Sequence, residues 1–227
     1  MIKPIHAQTS ILAVNAVGKI KINGDLSENL WLKANTYSLS LSQDKLNEKK
    51  SLKENGWFKV AWDDDNLYIA IKFIDSGIVA QANGNNQHHH RYGDVAEIFL
   101  KPKSSPWYWE FHVTPRGHKT CFNFANRSQV GQPVALKNKC PIKVAALVDG
   151  TLNSTQGQDR HWSAEMLIPR TALTGIAGTG NYEWTILVSR YNYDESLQWQ
   201  ELSMFPILSK SEFHRINEYG LLQLGLE

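Results

Sequence analysis

Short β-rich runs with a period of two, broken at regular intervals by turn chemistry, are what most limit the folds open to this chain. Trp57-Phe-Lys-Val-Ala-Trp62 and Leu67-Tyr-Ile-Ala-Ile-Lys-Phe-Ile74 are separated by Asp63-Asp-Asp-Asn66, a hairpin signal. Val95 to Leu100 and Trp107 to Val113 follow, joined across Pro102 to Pro106, and Pro115-Arg-Gly-His118 turns into Thr120 to Phe124. Further strands are expected at Ile142 to Val148, His161 to Ile168, Tyr182 to Tyr191, Leu197 to Phe205 and Leu221 to Leu226. About ten short, evenly spaced strands predict an all-β antiparallel sandwich, immunoglobulin-like or jelly-roll-like. Helical signal is thin. Ser27 to Ala34, with Ser27 as N-cap, and Pro169 to Leu173 each predict a turn or two, while Ser42 to Leu52 reads as a loop. No long Gly/Pro/Ser linker intervenes, so residues 1–227 read as one domain.

Composition narrows the function classes. Charged residues are 20% of the chain, with 24 basic against 22 acidic, and no basic cluster marks a nucleic-acid footprint. No run approaches the length of a membrane-spanning helix. Met1 to Ala7 is too short for a signal peptide and reads either as a trimmed remnant of one or as a cytoplasmic start. Cys121 and Cys140, the two cysteines, cannot make a C-x-x-C motif. They suit one disulfide in an oxidising compartment or two buried thiols in a reducing one, and pairing is expected if the chain is exported. Eight Trp in one small domain is a high count, beside eight Tyr and eight Phe, so some of these aromatics are expected outside the core.

Within Trp107 to Val113, alternation puts Trp107, Trp109, Phe111 and Val113 on a core face and Tyr108, Glu110 and His112 on the other. Glu97 sits between Val95 and Phe99 in a strong strand, where a carboxylate is costly unless paired or functional. The chain has no G-x-S-x-G elbow, Walker loop or H-E-x-x-H motif, and Gly175-Ile-Ala-Gly-Thr-Gly180 reads as a plain loop. His88-His-His90 can take up a transition metal adventitiously, but a dedicated site draws ligands from different elements. Asp63, Asp64, Asp65 and Asp75 are weak calcium candidates without EF-hand spacing; no other metal or cofactor is expected.

Six blocks, in order over residues 20 to 225, resemble the family 9 carbohydrate-binding modules. They are Ile22-Asn-Gly-Asp-Leu-Ser-Glu-Asn-Leu-Trp31, Val60 to Asp75, Gly93-Asp-Val-Ala-Glu-Ile-Phe-Leu100, Trp109 to Gly117, Trp162 to Leu173, and Phe213 to Leu224, the last with Ile216 where proline is usual. The resemblance implies a β-sandwich, non-catalytic binding of a plant-type or acidic polysaccharide or its chain end, an extracytoplasmic location, and either a stand-alone module or one linked to a catalytic domain in a longer glycan-degrading precursor. In the family's xylanase-linked members two Trp rings clamp a terminal sugar. Matching places Arg91 and Phe213 at those positions, and Glu97, His112, Leu187 and Lys210 at the polar ligands. The expected site is a shallow pocket of Arg91, Tyr92, Glu97, His112, Arg190 and Phe213, with Tyr193 and Trp199 as further sugar platforms. Arg190 would bind an acidic sugar or pair with Glu97. Two alternatives stay open. One is a cytochrome-type haem domain ligated by His112 with Met204 or His214. The other is a structural or interaction domain without a small ligand.

Overall fold

The computed structural model describes residues 8–18, 20–129, 140–154, 156, 158–174, 183–194 and 196–225. The 175–180 loop, the first seven residues and the expected strand ends at 182 and 226 lie outside this set. Twelve strands appear: β1 Ser10–Asn15, β2 Tyr37–Ser38, β3 Gly56–Trp62, β4 Asn66–Ile74, β5 Val95–Pro102, β6 Tyr108–Val113, β7 Lys119–Phe124, β8 Lys143–Asp149, β9 His161–Pro169, β10 Trp184–Tyr193, β11 Gln200–Phe205 and β12 Gly220–Leu224. Their order is β7-β6-β5-β10-β12-β1-β3-β4-β9-β8, with β11 on β10 and β2 on β3. The all-β sandwich expected from the period-two runs is what forms.

The expectation of a purely antiparallel sheet fails at one strand. β1 runs parallel to β12 through Ser10–Ala13 and parallel to β3 through Val14–Asn15. It thereby stitches the two sheets together, with Ile11 and Ala13 fully buried between them. Cys121 on β7 and Cys140 just before β8 form a disulfide with Cα atoms 5.2 Å apart. Since β7 and β8 end the strand order, this bond ties the open seam of a nearly closed sandwich.

The main core lies between the sheets. Ile98, Leu100, Trp109, Phe111 and Val188 meet Phe58, Val60, Ile71, Phe73, Trp162 and Met166. The assignment of Trp107, Trp109, Phe111 and Val113 to this face holds. The reverse face of β5, β6, β7 and β10 is buried too. Phe99, Tyr108, Phe122, Phe124 and Leu187 are covered by Leu208, Phe213 and Tyr219 from the chain before β12. Every residue of β5 and of β6 is therefore buried.

Several family-like blocks prove to be scaffold. Glu165 Oε2 accepts from the backbone N–H of Asn23 and Gly24, and Oε1 from the Trp31 indole at 2.8 Å, locking the opening block onto β9. Gly24 has φ +80, and a Cβ there would lie 2.8 Å from the Ala146 backbone. Helix α1, Asn29–Lys33, follows Glu28, not Ser27, because Ser27 turns its hydroxyl to Asp25. Helix α3, Arg170–Thr174, matches the expected turn after Pro169. Helix α2, Gln43–Asn47, stands where a loop was expected. Its sequence is polar, but Leu208 and Ser209 carbonyls accept its first two N–H groups from across the molecule.

We predict that purified protein, denatured without reductant, exposes no free thiol. Removing the bond with Cys121→Ser and Cys140→Ser should cost about 3 kcal/mol, the loop-closure value for a ring of this length, or roughly 6–12 °C in Tm. Two titratable thiols would contradict this.

Candidate functional site

The reverse face of β5 and β6 carries a cluster of buried ionisable groups. Register sets Glu97 opposite His112 and Phe99 opposite Glu110, so period two places both carboxylates on the face with Tyr108 and His112. His112 Nε2 lies 2.6 Å from Glu110 Oε1 and 3.2 Å from Glu97 Oε1. A one-turn 3₁₀ segment, His89–Arg91, packs over this face. It brings His90 Nδ1 to 3.6 Å from Glu97 Oε1 and stacks the His90 ring on Tyr191. His88 stacks on Phe122. His214 lies 3.6 Å from Glu110 Oε2 and is hydrogen-bonded to the Tyr108 hydroxyl at 2.8 Å.

Burial dominates the electrostatics. It pushes Glu97 up to about 8 against the opposing pull of His112. Glu110 is raised for the same reason, and His112 is pushed down to about 4. His89 is also held near 4 by burial, although the Gly84 carbonyl bonded to its ring favours the charged form.

This arrangement corrects the expected shallow pocket. Glu97 is 3% exposed, His112 0% and Phe213 4%, so the three form buried structure and not a lined opening. Leu187 is buried in the same aromatic cluster, and Lys210 is exposed. Arg91 and Tyr92 remain at the surface, in a cavity of about 510 Å³ with Gln81, Asn83, Gln87 and His88. Arg190 does not meet Glu97 at all. Ser189, not Arg190, is the partner of Glu97 in the register, so the guanidinium projects from the opposite face. There it lies over Phe73, donates to Asp75 Oδ2 at 2.9 Å, to Asn192 Oδ1 at 2.6 Å and to the Ile74 carbonyl, and sits 3.8 Å from Glu54.

Asp94 lies beside this ion pair. It accepts from the N–H of Val79 and Tyr193, and burial together with Asp75 raises it well above the usual carboxylate range. Gly93, at φ +130, lets the chain cross Val79, whose carbonyl oxygen would be 2.2 Å from a Cβ.

The calcium candidates separate. Asp63 closes the β3–β4 turn by accepting from the N–H of Asp65 and Asn66 and from the Tyr68 hydroxyl, whereas Asp75 is buried on Arg190 at the other end of β4. Asp64 and Asp65 belong to the same exposed turn as Asp63. The haem reading needs His112 to face Met204 or His214 across a slot. Instead, Met204 is buried in the aromatic cluster and His214 is engaged by Tyr108.

Tyr193 and Trp199 do converge. With Lys53, Glu54, Ser76, Asn192, Asp194 and Ser196 they line a cleft of about 590 Å³. Asp194 Oδ1 accepts from the N–H of Trp199 and Gln198 and so fixes the β10–β11 turn. Trp199 is 38% exposed, with Lys53 Nζ 3.5 Å from its ring centroid. It also borders a second cleft of about 480 Å³ with Lys45, Lys50, Gln200 and Glu201. Sequence reasoning missed Lys53 and Glu54, from the segment before β3, and Asn192 of β10, which meet at this cleft only through the fold and carry no local signal.

A family model described as carbohydrate family 9 binding domain-like matches residues 22–158, more than half of the chain. The chain belongs to this family. Solved structures agree on the family 9 fold. A candidate carbohydrate-binding protein of Bacteroides uniformis superposes with a TM-score of 0.71 at 16% identity, covering 96% of this chain and 100% of that one. A family 9 module of Caldicellulosiruptor kristjanssonii, in complex with cellotriose, gives 0.64 at 14% identity, covering 96% and 95%. The same organism's module with glucose gives 0.64 at 13%, covering 96% and 97%. No curated protein matches this chain. Relative to the family pattern, the matched sugar-ligand positions Glu97 and His112 lie beneath the histidine turn in this member.

Arg190 and Phe213 should therefore behave as structural residues. Arg190→Gln strands a buried Asp75 and should cost about 3–5 kcal/mol. Phe213→Ala should cost a similar amount, about 3–5 kcal/mol, through its cavity. Denaturant unfolding measures both. A variant that loses glycan binding at unchanged stability would contradict the assignment.

Proposed function

We propose that this chain is a non-catalytic carbohydrate-binding module that seats a glycan in the cleft beside Trp199. The carrying observation is the exposed indole of Trp199 next to Tyr193, within a ring of Glu54, Asn192, Asp194, Ser196 and Lys53. A pyranose has apolar C–H faces and an equatorial belt of hydroxyls. A flat aromatic bordered by hydrogen-bonding side chains is complementary to both. Family membership supports the class of ligand, as do the cellotriose and glucose complexes of the structural neighbours.

Trp199 stands as a ridge between two clefts, which suits a chain of several sugars more than a single ring. Three lysines in the second cleft, Lys45, Lys50 and Lys53, against one lining carboxylate, Glu201, favour a glycan carrying uronic acids, although Glu48 already pairs with Lys45 and Lys50. The disulfide supports a location outside the reducing cytoplasm. In that setting the module would hold a catalytic partner on polysaccharide during its breakdown.

Binding should be screened on a glycan array containing cello-oligosaccharides and uronic-acid oligosaccharides, with affinities measured by calorimetry. Trp199→Ala should weaken the best ligand at least tenfold, about the penalty of removing an interface anchor, while Tm moves by no more than about 2 °C. Undiminished affinity in Trp199→Ala would reject the cleft, and silence of the wild-type chain across the array would reject the function.

A further inference from the structure

The buried cluster beneath the histidine turn has a property that glycan binding does not use. His90, Glu97 and His112 each offer one ligand atom, and these atoms all lie within 4.8 Å of one another. They come from three separate elements: the 3₁₀ turn, β5 and β6. We propose that His90, Glu97 and His112 form a binding site for one borderline divalent transition-metal ion, with Zn²⁺ as the best fit.

Geometry supports this first. Zn²⁺ binds imidazole nitrogen and carboxylate oxygen at roughly 2.0–2.2 Å in a tetrahedral shell, which sets neighbouring ligand atoms about 3.3 Å apart. His112 Nε2 to Glu97 Oε1 is 3.2 Å and His90 Nδ1 to Glu97 Oε1 is 3.6 Å. The first is at the upper limit of a hydrogen bond and the second beyond it, and both are close to the edges of such a shell. Glu110 Oε1 is 2.6 Å from His112 Nε2, a hydrogen-bond distance shorter than a shell edge, so it stands as the partner that this nitrogen exchanges for the ion.

Charge is the second argument. Glu97 and Glu110 are both buried, and among the described residues every ion-pair partner of either is a histidine: His90, His112 or His214. Neither contacts a Lys or Arg in those pairs, whereas the buried Asp75 has Arg190. Two buried carboxylates without a permanent cation are expensive, and a divalent ion supplies the missing charge.

Ligand chemistry selects the ion class. Two imidazoles and a carboxylate suit Zn²⁺ or its neighbours among the transition metals, and disfavour Ca²⁺ and Mg²⁺, which require all-oxygen shells. The histidine tract, suited in isolation only to adventitious binding, thus contributes one ligand to a site whose other members come from the sheet. This proposal does not depend on the Trp199 cleft, and its test separates the two.

The full chain, stripped with a chelator, is titrated with Zn²⁺ by calorimetry and thermal shift, and with Co²⁺ by visible absorption. The expected result is one ion per chain, a Tm that rises with metal concentration, and the intense visible bands of tetrahedral Co²⁺. His90→Gln, at a partly exposed position, and Glu97→Gln should each weaken binding more than about tenfold, the least that even an outer-shell partner costs. Glu97→Gln keeps the whole histidine tract, so its loss of binding separates a built site from an adventitious one. His161→Gln, on the far sheet, and Trp199→Ala should bind the metal as the wild type does. Absence of one-to-one binding, or binding that survives in folded Glu97→Gln and His90→Gln, would overturn the proposal.

Discussion

A sheet buried on both faces has no side on which to leave a charge. Strands β5 and β6 are in that position throughout. Every ionisable group on them or beside them must be neutralised locally, by a partner, a proton or an ion. The structure separates these groups by face. On the core side, Arg190 gathers Asp75, Asn192 and the Ile74 carbonyl, with Glu54 nearby. On the reverse side, the ion-pair partners of Glu97 and Glu110 among the described residues are all histidines. The reverse face becomes closed because Leu208, Phe213 and Tyr219 cover one part of it and the His88 to Arg91 turn covers another.

The blocks that carry the family resemblance divide into two kinds. Gly24, Trp31 and Glu165 hold the opening segment to β9, and Gly93 lets the chain pass over Val79. These residues answer to backbone geometry and burial and would be needed whatever the ligand. Glu97, His112 and Phe213 occupy positions matched to sugar contacts, yet here they are interior. The open, aromatic, polar-rimmed surface lies instead at the β10–β11 turn, where Asp194 holds Trp199 in place.

Period two made most of the fold legible. It identified the strands from β3 to β12, apart from shifts at their ends, and the core face of β6, because alternation is local. It did not reveal β1, whose Ile11-Leu-Ala-Val14 run is short and pairs in parallel with strands far along the chain. Nor did it place Arg190. Parity relative to Glu97 depends on the β5–β10 register, a relation between segments that neither strand encodes alone. The mixed face of β6 was read correctly as Tyr108, Glu110 and His112. Its burial was not, because the cover comes from residues near 213 and from a polar histidine tract that resembles an exposed loop. Tyr193 and Trp199 were recognisable as turn-side aromatics, while their polar neighbours Lys53 and Glu54 come from before β3.

The most direct test is a crystal structure of this chain with its best-binding oligosaccharide. The account predicts sugar density against Trp199 and Tyr193, with the His88 to Arg91 turn in place and Glu97 and His112 still buried. A sugar seated on Glu97 and His112, with that turn displaced, would contradict it.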